Sequence, residues 1–346
     1  MLYASTRSNA ASYTARRALM EDRAPDGGLF VPAVLPVYED ENLAALLQEP
    51  PSEIVARIIN DFFDAKLRRL DVEFALGRKF FGMARLNQRT VVGELWRNSE
   101  TSFEGLCRRM NILLRGDMDS REPGLWMRIA CRIALLFAAF AKLRSGGVLP
   151  PGQIMDTAVL TGSFEGPYAL WVARKMGLPV GEIICCCNEN NGIWDLFNRG
   201  QMRLGGRPLR TQTPKCDITD PVALELLIHG VLQRDDVERY FAARSRGAIL
   251  YLGPDQHRRL RAGFYAAVVS DKRMSMAIAN LYKTNGYILC PYSALVYMGL
   301  LDYHSHPGPR RPALLLTEHD PRENAQLIVA ALETLEGELP DLTHSV

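Results

Sequence analysis

Apolar positions along this chain recur in two rhythms, and each predicts a kind of element. Ile54, Val55, Ile58, Ile59, Phe62 and Phe63 return at helical spacing, so the stretch 40–88 reads as helices. The run from Leu125 to Leu143 is a long apolar helix broken by few charges, and Thr101 to Leu114 reads as a helix with Ser102 as its N-cap. Other apolar runs are short and bounded by turn residues, as buried strands are. They are Thr90–Trp96, Asp156–Gly162, Glu182–Asn188 and Ala313–Thr317. Residues 1–37 open with an extended piece and a short helical one, followed by Ala24-Pro-Asp-Gly-Gly-Leu-Phe-Val-Pro32, a turn leading into a short strand.

The order strand, loop, helix (Pro167–Met176), strand over 155–188 is a βαβ unit. Such units build parallel sheets with helices on both faces. Further helices are expected at Asp195–Arg199, Asp220–Leu232, Asp235–Ser245, Leu260–Val269, Asp271–Asn285 and Pro321–Leu335, with a polar connection over Arg203–Pro214. A polar linker, Arg115-Gly-Asp-Met-Asp-Ser-Arg-Glu-Pro-Gly124, separates two helices. The fold class is therefore α/β.

Composition narrows the function classes. The 346 residues are 47% hydrophobic and 23% charged, which is ordinary globular composition for one large or two medium domains. Net charge is +2, from 41 basic and 39 acidic residues, so nothing favours nucleic acid. Arg108-Arg109, Arg258-Arg259 and Arg310-Arg311 are scattered pairs that suit solvated faces better than a binding stripe. The apolar run Ile129–Ala141 carries Arg132 and is too short to span a bilayer, and the opening residues lack a signal-peptide core. A cytoplasmic protein is expected. The seven cysteines show no framework spacing, and the consecutive Cys185, Cys186 and Cys187 read as small hydrophobes in a buried strand.

Several short motifs carry chemistry when taken in order. Glu94-Leu-Trp-Arg-Asn-Ser-Glu-Thr-Ser-Phe-Glu104-Gly resembles the stretch of threonine synthase in which a Glu-Leu pair leads to Phe-Lys-Asp, whose lysine holds pyridoxal phosphate. Tyr3-Ala-Ser-Thr-Arg7 and residues 24–32 are similar to that family's N-terminal signatures. Leu125-Trp-Met-Arg-Ile-Ala resembles its Asn-Trp-Ala-Arg helix start. Leu160-Thr-Gly-Ser-Phe-Glu-Gly166 resembles its glycine loop, Thr-Gly-Asn-Phe-Gly-Asn. Lys175-Met-Gly-Leu-Pro179, Asn188-Glu-Asn190, Pro214-Lys-Cys-Asp-Ile218, Cys290-Pro-Tyr-Ser-Ala294 and Thr317-Glu-His-Asp-Pro321 follow at the family's intervals. The resemblance implies the type II pyridoxal-phosphate fold: a threonine synthase-like N-terminal domain over 1–90 and a large-domain remnant over 91–346 with a mainly parallel sheet.

The departures fall where cofactor and substrate would be touched. Glu104 stands at the lysine position, and a carboxylate cannot form an imine with an aldehyde. Glu165 stands at a glycine position of the loop whose N–H groups would cradle phosphate. An anion at a helix N-terminus is favoured by about 0.3–1 kcal/mol, so Glu165 is expected to fill that anion site. Together with Glu104 it would repel a phosphate dianion, by about 4 kcal/mol per unit pair near 4 Å at a dielectric of 20. The family's small subdomain, with its Ser-Gly-Asp-Thr-Gly loop, is expected to be deleted around 115–124, a loss on the order of a hundred residues.

The resemblance thus implies no covalent cofactor, and a vestigial pocket formed by Glu104, Thr161, Gly162, Ser163, Phe164, Glu165, Gly166, Cys290 and Tyr292. The leading expectation is a catalytically inactive relative that binds a small anionic or amino-acid-like metabolite, or a protein partner, as a homo-oligomer or within a complex. Uncovered apolar surface where the subdomain is lost would favour such assembly. One alternative is a pyridoxal-phosphate lyase of unusual design, in which Lys215 is the most interesting substitute amine. Another is a cofactor-free enzyme built on Ser163, Glu165 and Tyr292, which requires Glu104 or Glu165 to have a strongly raised pKa. Thr161-Gly-Ser-Phe-Glu165 lacks the second glycine of a nucleophile elbow. His304 and His306 form a pair without a third metal ligand, best read as a surface loop, and His319 follows a strand as a structural or loop histidine.

Overall fold

The computed structural model describes residues 1–8, 12–116, 122–232 and 234–334. The chain begins with β1 (Leu2–Ser5), β2 (Tyr13–Thr14), α1 (Ala15–Met20) and β3 (Phe30–Pro32). The three strands pair antiparallel in the order β2-β1-β3. Three helices follow: α2 (Asp40–Leu46), α3 (Pro51–Phe63) and α4 (Arg69–Leu76). Helix α3 starts on Pro51, which suits the first helical position, and buries Ile54, Val55, Ile58, Ile59, Phe62 and Phe63 on one face.

The next elements are β4 (Gly82–Arg85), β5 (Thr90–Glu94), α5 (Phe103–Arg115), α6 (Leu125–Ser145), β6 (Met155–Leu160), α7 (Glu165–Lys175), β7 (Val180–Cys187), α8 (Gly192–Arg199) and β8 (Gln201–Arg203). After them come α9 (Leu224–Val231), α10 (Arg234–Ser245), β9 (Ile249–Tyr251), α11 (Pro254–Arg261), β10 (Phe264–Val268), α12 (Asp271–Asn285), α13 (Pro291–Ser305), β11 (Ala313–Thr317) and α14 (Ala325–Leu332). The central sheet has the order β10-β7-β6-β11-β5-β4. Its neighbours are parallel except β4, which runs antiparallel to β5 at one edge. Residues 82–85 thus give a strand to this sheet where helix was expected.

Helices cover both faces, as a parallel sheet requires. The alternation along β7 shows how. Ile183, Cys185 and Cys187 point into the core shared with α3, α6 and α7, whereas Ile184 and Cys186 point into the core beneath α12 and α13. All seven cysteines are free and buried, so the triple run is packing material, as its sequence suggested. At the centre of the first core, Trp126 of α6 donates from its indole N–H to the Phe30 carbonyl. Tyr3 meets its ring edge-on at 5.6 Å, which welds the N-terminal sheet to the large one. None of the helices among the described residues is long and apolar enough to cross a membrane.

Other expectations fail as well. Leu260–Val269 is not a helix: Gly263, at φ +76°, opens the edge strand β10. His304 lies in the last turn of α13 and His306 caps it, so the pair belongs to a helix end rather than a free loop. The segment 220–232 becomes α-helical only from Leu224, and 321–335 divides into a 3-10 turn over Pro321–Asn324 and α14. The linker expected at 115–124 falls partly on residues 117–121, outside the described residues.

Candidate functional site

The carboxyl ends of β6 and β11 lie side by side, the usual place for ligands in an open α/β sheet. A cavity of about 170 Å³ opens there. Three pieces of chain form it. The first is the loop from Thr161 through Ser163 into the first turn of α7, the second is Glu318-His319 after β11, and the third is Glu104 at the start of α5. Lys215, Cys216 and Ile218 close one side, and Arg132 of α6 forms part of the floor.

Each piece has a local cause. Ser102 caps α5 by accepting from the Gly105 N–H at 3.0 Å, and this presents Glu104 in the exposed first turn. The loop turns into α7 through Phe164, a non-glycine residue at φ +69° whose N–H bonds the Thr161 carbonyl at 2.6 Å. Such a conformation costs about 1–3 kcal/mol and persists only where packing enforces it. Here the Phe164 ring is buried against Phe197 and Phe264, with centroids 6.1 and 6.4 Å away. Gly166 follows because a Cβ would come within 2.7 Å of the Val159 side chain, so only glycine lets α7 lie this close on β6.

The floor is a buried charge network. Arg132, 11% exposed, donates Nε to Glu318 Oε1 and Nη2 to Oε2, both at 2.7 Å, and Nη1 to Glu165 Oε2 at 2.7 Å. Its guanidinium also lies 4.1 Å from the Phe103 ring centre. Arg128, one turn earlier on α6, donates Nη2 to Glu165 Oε1 at 2.8 Å and Nε to Oε2 at 3.0 Å. Burial alone would raise the Glu165 pKa, but the charges of Arg132 and Arg128 outweigh it and hold the carboxyl below its ordinary value. The rim is different. Lys215 Nζ lies 3.2 Å from His319 Nδ1 and 3.5 Å from Glu323 Oε2. Burial first, then the Lys215 charge, lowers the His319 pKa to about 4, so the ring is neutral and Nδ1 accepts from the ammonium. Tyr292 stacks behind this ring at 4.2 Å.

Of the nine residues singled out from sequence, Glu104, Thr161, Gly162, Ser163, Glu165 and Gly166 line the cavity. Phe164 points into the core, Tyr292 stands behind His319, and Cys290 is a buried N-cap whose Sγ accepts from the Ser293 N–H at 3.3 Å. Glu165 does not present a bare negative charge, since two guanidiniums neutralise it, and its repulsion of an incoming anion is smaller than expected. The direction of the Glu165 shift does not favour a cofactor-free enzyme on Ser163, Glu165 and Tyr292. Glu165 shifts in the direction opposite to the one it requires, and Glu104 is exposed. Sequence reasoning missed Arg128, Arg132 and Glu318. The available signal was two arginines four residues apart, the only charges in the apolar stretch Leu125–Ala141.

Comparison with known proteins places this geometry. A sequence family described as threonine synthase N terminus matches residues 2–76. The human protein "Threonine synthase-like 1" is 28% identical over 173 residues, which is 49% of this chain and 23% of that protein. Human "Threonine synthase-like 2" is 24% identical over 227 residues, 63% of this chain and 46% of that one. Residues 2–76 belong to the threonine synthase N-terminal family, and the chain beyond them is similar to threonine synthase-like proteins. The chain spans about a quarter to a half of the length of these relatives. The fold agrees with the crystal structure of pyridoxal-phosphate-bound threonine synthase from Brucella melitensis, at a TM-score of 0.82 and 19% identity over 98% of this chain and 93% of that one. With 346 residues it is shorter than the full enzymes.

Pyridoxal phosphate in this family member would need an amine for its aldehyde and an anion cradle for its phosphate. The residues present do not fit it. The position that the resemblance gives to the lysine is Glu104. The start of α7 is bound up with the chain's own Glu165 carboxylate and two arginines. Lys215 brings an amine to the cavity wall from a different segment, where it pairs with His319 and Glu323.

Proposed function

We propose that this threonine synthase-like chain is catalytically inactive, does not bind pyridoxal phosphate covalently, and holds a small unphosphorylated metabolite of amino-acid type in the cavity beside β6 and β11. The observation that carries the reading is Glu104, a carboxylate in the cavity wall where the family's chemistry starts from an amine. Size and charge agree with it. About 170 Å³ is well below the roughly 300–1,000 Å³ of drug-sized sites, and the wall offers both a carboxylate, Glu104, and an ammonium, Lys215. A zwitterion meets both charges at once. The same proposal includes loss of the small subdomain between α5 and α6, and assembly into a homo-oligomer or a complex with another protein. Leu70 and Phe74, exposed one turn apart on α4, offer an apolar contact for such assembly.

A second reading has one observation in its favour: Lys215 is an amine within the cavity wall, which a lyase using pyridoxal phosphate in an atypical site would require. One experiment separates the two. The purified chain is incubated with pyridoxal phosphate, treated with borohydride and examined by absorbance and intact mass, alongside phosphohomoserine turnover and a thermal-shift panel of amino acids. The expected outcome is no visible band, no reduced adduct, no turnover, and stabilisation by an amino acid. Saturation at about 100 times Kd would contribute about 2.7 kcal/mol. A borohydride-trapped adduct confined to Lys215, together with phosphohomoserine turnover, would establish the lyase instead.

A further inference from the structure

We propose that the Glu165 carboxylate is a built-in anion occupying the place of a phosphate group, and that it closes the cavity to phosphorylated ligands. The inference starts from charge. Arg128 and Arg132 are two guanidiniums in the otherwise apolar stretch Leu125–Ala141 of α6, and their charge is balanced by two carboxylates, Glu165 and Glu318. Among the described residues Glu318 is held by Arg132 alone. Glu165 bridges both arginines and uses both of its oxygens, at 2.7–3.0 Å, as a phosphate does when two guanidiniums clamp it. It is also the first residue of α7, where helix geometry favours negative charge. The carboxylate is only 6% exposed, yet its residue borders the cavity beside Gly162 and Ser163.

Without Glu165 the cluster carries one uncompensated positive charge. Arg128 loses its carboxylate partner, while Arg132 keeps Glu318. An external anion then has two donors ready and the space the glutamate vacated. With Glu165 in place, a phosphate finds the donors taken and a like charge among them. This single residue therefore sets the ligand class, whether or not the cavity holds a metabolite in the wild-type chain.

The test uses the full chain and three variants: Glu165→Gly, Glu165→Gln and Glu165→Gly with Arg128→Gln. Binding of inorganic phosphate and of pyridoxal phosphate is measured by calorimetry, with unphosphorylated pyridoxine as the control. Glu165→Gly is expected to bind phosphate at least about tenfold more tightly than wild type, the scale of one like charge removed from a partly screened site. Glu165→Gln keeps the side-chain shape and removes only the charge, so it reports even if the glycine variant does not fold, and a smaller gain is expected. The gain should vanish in the double variant, and pyridoxine should gain nothing. Equal phosphate affinity in wild type and both folded single variants overturns the proposal. A gain that survives Arg128→Gln also overturns it, because the anion then binds elsewhere.

Discussion

Replacing Arg132 with methionine removes the one cation that pairs with Glu318 among the described residues. In the native chain three bonds of 2.7 Å join this guanidinium to two carboxylates, with only 11% of the arginine side chain and 16% of the Glu318 side chain exposed. Glu165 retains Arg128 in the variant, so the main damage is a buried, unpaired Glu318. Breaking a buried ion pair from one side costs about 3–5 kcal/mol, a large part of a stability of about 5–15 kcal/mol. Methionine fills much of the lost volume, so the cost is electrostatic rather than a cavity. Adding Glu318→Gln removes the stranded charge and should restore more than half of the loss. The assay is urea unfolding followed by tryptophan fluorescence, with Trp126 as a buried reporter, at pH 7 and pH 5. The deficit of the single variant should shrink at the lower pH, as protonation neutralises the orphaned carboxylate. A loss under about 1 kcal/mol, or no rescue by Glu318→Gln, would refute the idea that the network is held by mutual neutralisation.

Two more outcomes follow from the same geometry. His319 has a folded-state pKa of about 4 against about 6.5 unfolded. Its stabilising contribution is therefore complete above pH 6.5 and is lost as pH falls toward 4, by about 3 kcal/mol. His319→Gln should flatten the wild-type stability curve in that window, and parallel curves for the two proteins would exclude the assignment. The cysteines give a second check. All seven are buried and free, so a thiol reagent should label none in the native chain and all seven after denaturation. Rapid native labelling of Cys185, Cys186 or Cys187 would mean that β7 is not a core strand.

The sheet was legible where apolar runs were short and punctuated. β11 coincides with the run read from sequence, β5, β6 and β7 lie within two residues of theirs, and Ser102 caps α5 as its side chain suggested. β10 was not legible, because Phe264-Tyr-Ala-Ala-Val268 is too short and too uniformly apolar for periodicity to separate strand from helix. α13 escaped for a related reason. It is packed between β11 and its neighbours on one side and α12 on the other, so it shows no polar stripe to mark it. At the site, Glu104 and Thr161–Gly166 could be named because each lies within a short stretch that resembles a motif of the family. The network could not, since Arg128, Glu165 and Glu318 meet only after α6, α7 and β11 have packed together.

The N-terminal sheet is secured in a comparable way by Glu225, a fully buried carboxylate on α9. It accepts from Thr6 Oγ1, from the Leu29 N–H at 3.1 Å and from Arg244 at 3.2 Å. More than 190 residues separate Leu29 from this carboxylate. During synthesis the Thr6 hydroxyl must therefore wait for α9 before it reaches this acceptor, which is made 219 residues after it. Closing so long a loop is slow compared with forming local helices. β1 and β3 are thus made well before the carboxylate that locks them, and a product interrupted ahead of α9 would carry these strands loosely held, open to proteases and chaperones.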